Sequence, residues 1–379
     1  MANKLTLFVL LLAVAGTVVA QESPRIDTPI PQPIDSTFMR DETGAIVRRD
    51  GLPVIRGGPF TVNTTADTVD VSPGNGTCAD STGACSLRAA IMEANTSTST
   101  TINIPAGKYY LTLTAGSETA TTTDASTRDL DITASMTLQG STTGKTVIIG
   151  NSSSRVFHVT AFANIFNVEI RNGQETGNGG GVFVAGGDLL LSVVFLYGNS
   201  AAYGGGAAVG SAGKLYVVKS SVISNSTSSG SGGIDAFGVS TLLYVYNSTI
   251  AVNSTVHTGG GVAVEGEAGA YIYNASIGQN SVTDPSGLGG GLRVAINSTV
   301  VLRNTAIGYN NASTGPECSG TISSNGSNAF ESTAGCSGVH VDDYTGDLRM
   351  SNLSYLPKYP YPMYGLLPGS ALIDGGIGR

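Results

Sequence analysis

Three histidines and twenty-seven carboxylates are this chain's stock for acid–base or metal chemistry, and no local spacing concentrates them. A calcium-dependent polysaccharide lyase needs clustered carboxylates plus a basic residue to take a proton. In the middle of the chain, Asp188, Asp235, Glu265, Glu267 and Asp284 fall at different positions of the repeat described below. A paired-aspartate hydrolase with a neighbouring Gly-His-Gly finds no such tripeptide here. His158, His257 and His340 are scattered, and none has a partner at metal-ligand spacing. The densest acidic group is Asp342, Asp343 and Asp347 beside His340, a weak calcium candidate whose commoner meaning is a solvated turn. No catalytic residue and no cofactor is expected, and the balance leans against an enzyme.

Tyrosine offers a different chemistry. Aligned on a recurring asparagine (Asn199, Asn225, Asn253, Asn280, Asn310), the positions nine before it hold Leu190, Tyr216, Tyr244, Tyr271 and Val301. The positions seven before hold Ser192, Val218, Tyr246, Tyr273 and Arg303. Tyr216, Tyr244, Tyr246, Tyr271 and Tyr273 are thus expected as an outward ladder on one strand face. Such rings can stack on sugars while their hydroxyls bond to glycan. The plainer meaning is cross-strand packing of β-favouring residues. The partner this surface suggests is an extracellular polysaccharide or a cell-surface glycan.

These residues are positioned by a repeat. Glycine triplets stand at 179–181, 204–206, 259–261 and 289–291, with a shortened copy at Gly232-Gly233, and the steps between them are 25, 27, 28 and 30 residues. A period of that size signals stacked coils. Eight positions before each asparagine stand Leu191, Val217, Val245, Ile272 and Leu302, and three before stand Leu196, Val222, Ile250, Ile277 and Ile307. Both columns are aliphatic and alternate with polar or aromatic ones, which means strand and core. Units of this length with short β-rich runs fit the coils of a parallel β-helix. The asparagines are expected to stack on one another and on turn backbone, as Asn also tolerates left-handed turns. The glycines are expected to serve positive φ and close approach.

The first twenty residues carry one charge, an apolar run of about ten residues and a small residue at Ala20, which is the pattern of a secretory signal peptide. Residues 21–58, with Pro24, Pro29, Pro31 and Pro33 close together and Arg48-Arg49 further on, read as a linker or pro-segment. No later segment is apolar enough for an anchor, so a soluble exported product is expected. A formal charge of −8 disfavours nucleic acid as a partner. Four cysteines in two local pairs, Cys78 with Cys85 and Cys318 with Cys336, favour disulfides in an exported chain.

Cys85-Ser86-Leu87-Arg88-Ala89-Ala90-Ile91-Met92-Glu93-Ala94-Asn95, preceded by Phe60-Thr61-Val62-Asn63 and Ala66-Asp67-Thr68, resembles the entry module of the CSLREA family of exported proteins. Leu366 to Gly376 is similar to that family's C-terminal "LPGSPAIDAG" signature. The resemblance implies an all-β, right-handed parallel β-helix with a short N-terminal capping helix. With the signal peptide (1–20) and linker or pro-segment (21–58) read above, it divides the rest of the chain into a cap (59–100), the β-helix (101–345) and a C-terminal cap or tail (346–379). Ala89 stands where the family's Glu would complete a capping box, so only the Ser86 half is retained. The chain stops at Arg379 without the extension often seen after this signature, which favours a freely secreted product or a truncated gene. Twelve Asn-x-Ser/Thr sequons, at Asn63, Asn75, Asn95, Asn151, Asn225, Asn247, Asn253, Asn274, Asn297, Asn311, Asn325 and Asn352, would accept glycans in a eukaryotic host.

Overall fold

The aliphatic columns of the repeat become the inner walls of a parallel β-helix. The computed structural model describes residues 59–97, 100–114, 125–355 and 362–370, together with an antiparallel pair of strands, Phe38–Arg40 and Ile46–Arg48. That pair belongs to a separate unit, residues 1–53, and is described by itself. The signal-peptide segment lies outside the described residues.

Successive coils each add a strand to three parallel sheets. The glycine sheet, entered directly from the glycine clusters, has nine strands from Leu130–Ile132 to Cys336–Ser337. The tyrosine sheet has ten, from Phe60–Thr61 to Ser323–Ser324. The closing sheet has ten, from Gly107–Tyr110 to Tyr344–Thr345. A short fourth serine sheet joins Ser200–Ala201, Ser226–Thr227, Ser254–Thr255 and Ser281–Val282. Leu191, Val217, Val245, Ile272 and Leu302 pair in register on consecutive coils and are completely buried. Leu196, Val222, Ile250, Ile277 and Ile307 do the same in the closing sheet.

Between the last two sheets runs an asparagine column. Each Nδ2 donates to the Oδ1 of the asparagine one coil further on, from Asn199 to Asn225, Asn253, Asn280 and Asn310, at 2.9–3.0 Å. Each Nδ2 also donates to a carbonyl one coil back, and each Oδ1 accepts the preceding asparagine's backbone N–H. The expectation that these asparagines take the left-handed conformation is corrected. The residue before each one does: Gly198, Ser224, Val252, Gln279 and Tyr309 have φ of 64°, 57°, 57°, 56° and 62°. The bend is made one position earlier, so the asparagine is left free to hold its side chain inward.

Within each triplet the glycines divide the work. The first has positive φ: Gly179, Gly204, Gly259 and Gly289, at 65–68°. The second and third lie against backbone of the next coil. A Cβ on Gly261 would stand 2.6 Å from the Gly291 carbonyl oxygen and 2.9 Å from Asn280 Nδ2.

The entry segment folds as helix α1, Leu87–Asn95, with Ser86 as N-cap accepting the Ala89 N–H at 3.0 Å. A cap of this kind contributes about 1 kcal/mol. Arg88 is completely buried, forks onto Asp67, and donates to the carbonyls of Ala125, Arg128 and Asp129. Glu93 accepts two backbone N–H groups, from Gly74 and Gly76, and Asn95 bonds the backbone of Asp131, Thr133 and Ala134. The polar residues of the motif are therefore spent on docking a cap. The Cys78–Cys85 and Cys318–Cys336 disulfides are formed, with Cα separations of 5.1 and 5.4 Å. At the other end, strands Ser354–Tyr355 and Pro362–Met363 pair antiparallel, and Leu353 and Tyr364 pack on Phe195, Ile223 and Ala251 of the closing sheet.

Candidate functional site

Five tyrosines meet on the tyrosine sheet. Tyr216, Tyr244 and Tyr271 pair in register on three consecutive coils, and Tyr246 pairs with Tyr273 beside them. The rings of Tyr216 and Tyr244 are stacked with centroids 4.6 Å apart, and those of Tyr244 and Tyr271 at 5.3 Å. Tyr246 and Tyr273 are tilted at 5.5 Å. Strands about 4.8 Å apart leave no room between like residues for a third ring. The internal faces therefore contact each other, and the face-on stacking of sugars expected from the columns does not fit them. What the ladder turns outward is ring edge and hydroxyl.

Exposure also differs from expectation. Tyr216, Tyr244 and Tyr271 are half-buried, but Tyr246 and Tyr273 are only 7% and 8% exposed. They sit at the bend into the next sheet, where Tyr246 is hemmed by Tyr244 and Tyr273. The Tyr246 hydroxyl is buried and has no hydrogen-bond partner among the described residues. Burial, then the neighbouring Tyr271, pushes the Tyr244 phenol up to about 12, and burial raises Tyr246 and Tyr273 as well. The phenols of Tyr244, Tyr246 and Tyr273 are thus neutral donors at physiological pH.

A second constellation lies on the outside of the glycine sheet, where neighbouring coils bring together residues that are far apart in sequence. Asp131 and His158 face each other in register, with Oδ1 and Nδ1 2.9 Å apart and both residues almost completely buried. Arg155 bridges Asp129, at 3.2 Å, and Glu175, at 3.4 Å, and lies over the Phe183 ring. His158 stacks on Phe183, its in-register neighbour one coil further on, with centroids 5.5 Å apart. Among the described residues, the buried His158 Nε2, Asp131 Oδ2 and Asp129 Oδ1 have no hydrogen-bond partner. Burial raises the Asp131 carboxyl above its ordinary range, and its bond with His158 opposes that. A neutral imidazole donating Nδ1–H to Asp131 would hold a lone pair on the buried Nε2, the arrangement of an oriented general base.

The histidines, scattered in sequence and without metal-ligand spacing, each meet a carboxylate in the fold. His158, His257 and His340 each have a carboxylate within 3.5 Å: Asp131, Asp284 and Asp342. For the first two, the partner comes from a neighbouring coil, so no short motif reveals it. The 27-residue offset between Asp131 and His158 is the repeat period, and aligning their two strands would have exposed the pair. Asp342, Asp343 and Asp347 are tied up in turns instead. Asp343 accepts from the backbone of Asn328 and His340, and Asp347 from that of Arg349. Among the described residues, no group of three or more His, Cys, Asp or Glu side chains could hold a metal ion.

Two further carboxyls are buried without a cation. Glu317 accepts from Asn310 Nδ2 at 2.6 Å, and burial pushes it up to about 7. Asp235, 1% exposed, is likewise pushed up to about 7, first by burial and then by Glu265. Their ordinary values are 4.5 and 3.8, so the folded state holds these protons more tightly than the unfolded chain. The stability they contribute is full below about pH 4 and is lost as pH rises through about 7. The urea midpoint is expected to be higher at pH 5 than at pH 8, and Glu317→Gln should flatten that difference. A midpoint rising from pH 5 to pH 8, unchanged by the substitution, would contradict the assignment.

No family model matches the chain, and no curated protein matches it in sequence. Among solved structures, it is similar to a pectate lyase at 15% identity and a TM-score of 0.45, over 72% of this chain and 68% of that one. The parallel β-helix assignment stands on the strand register itself. No helix among the described residues is long and apolar enough to cross a membrane.

Proposed function

We propose that this protein is an exported, non-enzymatic β-helix of structural or adhesive role that contacts glycans through the edge of its tyrosine ladder. The observation that carries this reading is the register of Tyr216, Tyr244 and Tyr271 on consecutive coils. It sets phenol groups about one strand spacing apart on a rigid wall. Among the described residues, no hydrogen bond holds the hydroxyls of Tyr244 or Tyr271. The resemblance of residues 59–376 to CSLREA-type proteins and two formed disulfides support export.

The edge-on geometry makes the test specific. Tyr244→Phe and Tyr271→Phe keep the ring stack and remove only the outward hydroxyls. On an immobilised glycan panel, the double variant is expected to bind about tenfold more weakly, the worth of one to two net hydrogen bonds. Its melting temperature should stay within about 2 °C of the parent. Binding that survives both substitutions, or no binding to any glycan, would remove this reading.

A second reading, a polysaccharide-cleaving enzyme, is favoured by Asp131–His158 alone. Were its buried Nε2 uncovered, an Asp-oriented imidazole could take a proton from a sugar carbon as the glycosidic oxygen leaves, giving an unsaturated end, or from water as it attacks the glycosidic carbon and displaces that oxygen, giving a reducing end. Incubation with pectin and alginate, with and without calcium, distinguishes the readings. Release of either kind of end, lost in His158→Ala, would replace the first reading with the second.

A further inference from the structure

The twelve sequons fall into two groups by what the asparagine Nδ2 already does. In Asn95, Asn151, Asn225 and Asn253 it donates to carbonyl oxygens. Asn225 and Asn253 are fully buried and donate a second time, each to the next asparagine of the column. The other eight asparagines are exposed, and among the described residues none of their Nδ2 atoms donates a hydrogen bond.

Two of the eight are placed apart from the rest. Asn247 and Asn274 occupy the same bend on consecutive coils, with φ of 51° and 53°, and the Asn247 N–H donates to the carbonyl of Tyr273. Each directly follows a ladder tyrosine, Tyr246 or Tyr273. Asn274 Oδ1 accepts from Asn304 Nδ2 at 3.1 Å, which orients the amide and leaves its own Nδ2 to solvent.

We propose that Asn247 and Asn274 are N-glycan acceptor sites that place the protein's own carbohydrate along the edge of the tyrosine ladder, and that Asn95, Asn151, Asn225 and Asn253 are closed to modification. Transfer from a lipid-diphosphate-linked oligosaccharide forms a bond from Nδ2 to the sugar C1 and breaks that carbon's bond to phosphate oxygen. The lipid diphosphate leaves and one amide proton is lost. The modified Nδ2 keeps a single N–H. Asn225 and Asn253 need both of theirs for the column, so a chain glycosylated there cannot complete its coils. At the exposed bend no bond is lost, and the attached sugar emerges beside Tyr246 and Tyr273.

The assignment does not depend on whether the ladder binds an external glycan. Its test is site mapping of the full chain, exported from a eukaryotic cell line and purified as folded monomer. Peptide-N-glycosidase digestion in H₂¹⁸O marks each formerly glycosylated asparagine as labelled aspartate, which mass spectrometry locates. Label is expected at Asn247 and Asn274 and at none of the four closed positions. Label at Asn225 or Asn253 in folded protein, or its absence from both Asn247 and Asn274, would overturn the proposal. In Asn247→Gln/Asn274→Gln, the protein should lose the mass of two glycans yet melt cooperatively. Unchanged mass would also refute it.

Discussion

Asn253→Ala is expected to lower folding stability by about 3–5 kcal/mol, read as a fall in the urea midpoint. Asn253 Oδ1 accepts the N–H and the Nδ2 of Asn225, at 2.9 and 3.0 Å, and its Nδ2 donates to Val222 O and Asn280 Oδ1, both at 2.9 Å. Alanine removes all four bonds in a place where water does not reach. The orphaned Asn225 N–H and Val222 carbonyl each cost about 1–3 kcal/mol, whereas an exposed hydrogen bond would contribute little net. The loss should spread to neighbouring coils, because stacked repeats draw their stability from their interfaces. Asn247→Ala, at the exposed bend, should cost only about 1 kcal/mol, for placing alanine in the left-handed backbone that Asn247 adopts at φ 51°. Similar effects at the two sites would mean that the buried column is not what holds the coils together.

Gly260→Ala should be about as damaging, at about 3 kcal/mol or more, for the opposite physical reason. The new Cβ would stand 2.3 Å from Gly290 O and 2.7 Å from Ser281 N. Both are backbone atoms of the next coil, so no side chain can turn away. Relief requires parting coils that the sheet hydrogen bonds hold about 4.8 Å apart. Gly177 provides the control in the same kind of loop. Its φ is not positive, and its nearest neighbour would be the Glu175 Cγ at 4.0 Å. Gly177→Ala should therefore melt within about 2 °C of the parent. A Gly260→Ala protein that also did so would show that the triplets are not needed for close approach.

The inward columns were legible in the sequence because a solenoid repeats its geometry at the same interval as its residues. One alignment on the closing asparagines placed ten aliphatic residues in the core and five tyrosines on one face. What stayed hidden required knowledge of distance across coils. Asp131 and His158 meet only because strands 27 residues apart are neighbours, and the later positions of their column hold Phe183, Ala208, Asp235, Ala263 and Arg293, so no run of like residues draws attention to it. The capping motif was visible as a helix start at Ser86. Its Arg88–Asp67 fork was not, since nothing in either residue says which partner a buried guanidinium will find. The use of the tyrosine faces by each other follows from the strand spacing, a physical constraint on ring thickness that a column of letters does not display.

The column of asparagines also runs in a single direction. Every Nδ2 points toward the later coil, beginning where the Gly173 N–H enters Asn199 Oδ1. It stops at Asn310, whose Nδ2 meets the carboxyl of Glu317. Glu317 follows Gly315-Pro316, so it fills the position that earlier coils give to the third glycine, where any side chain would run into the next asparagine amide. Aligned amide dipoles present their donor end at this point, and a carboxyl oxygen terminates them. The asparagine column therefore has a built-in last member, while the three sheets run on beyond it to Ser323–Ser324, Cys336–Ser337 and Tyr344–Thr345. Lengthening the column over evolutionary time would work by duplicating a coil between Asn199 and Asn310, because a coil inserted after Glu317 would find no open amide to continue from.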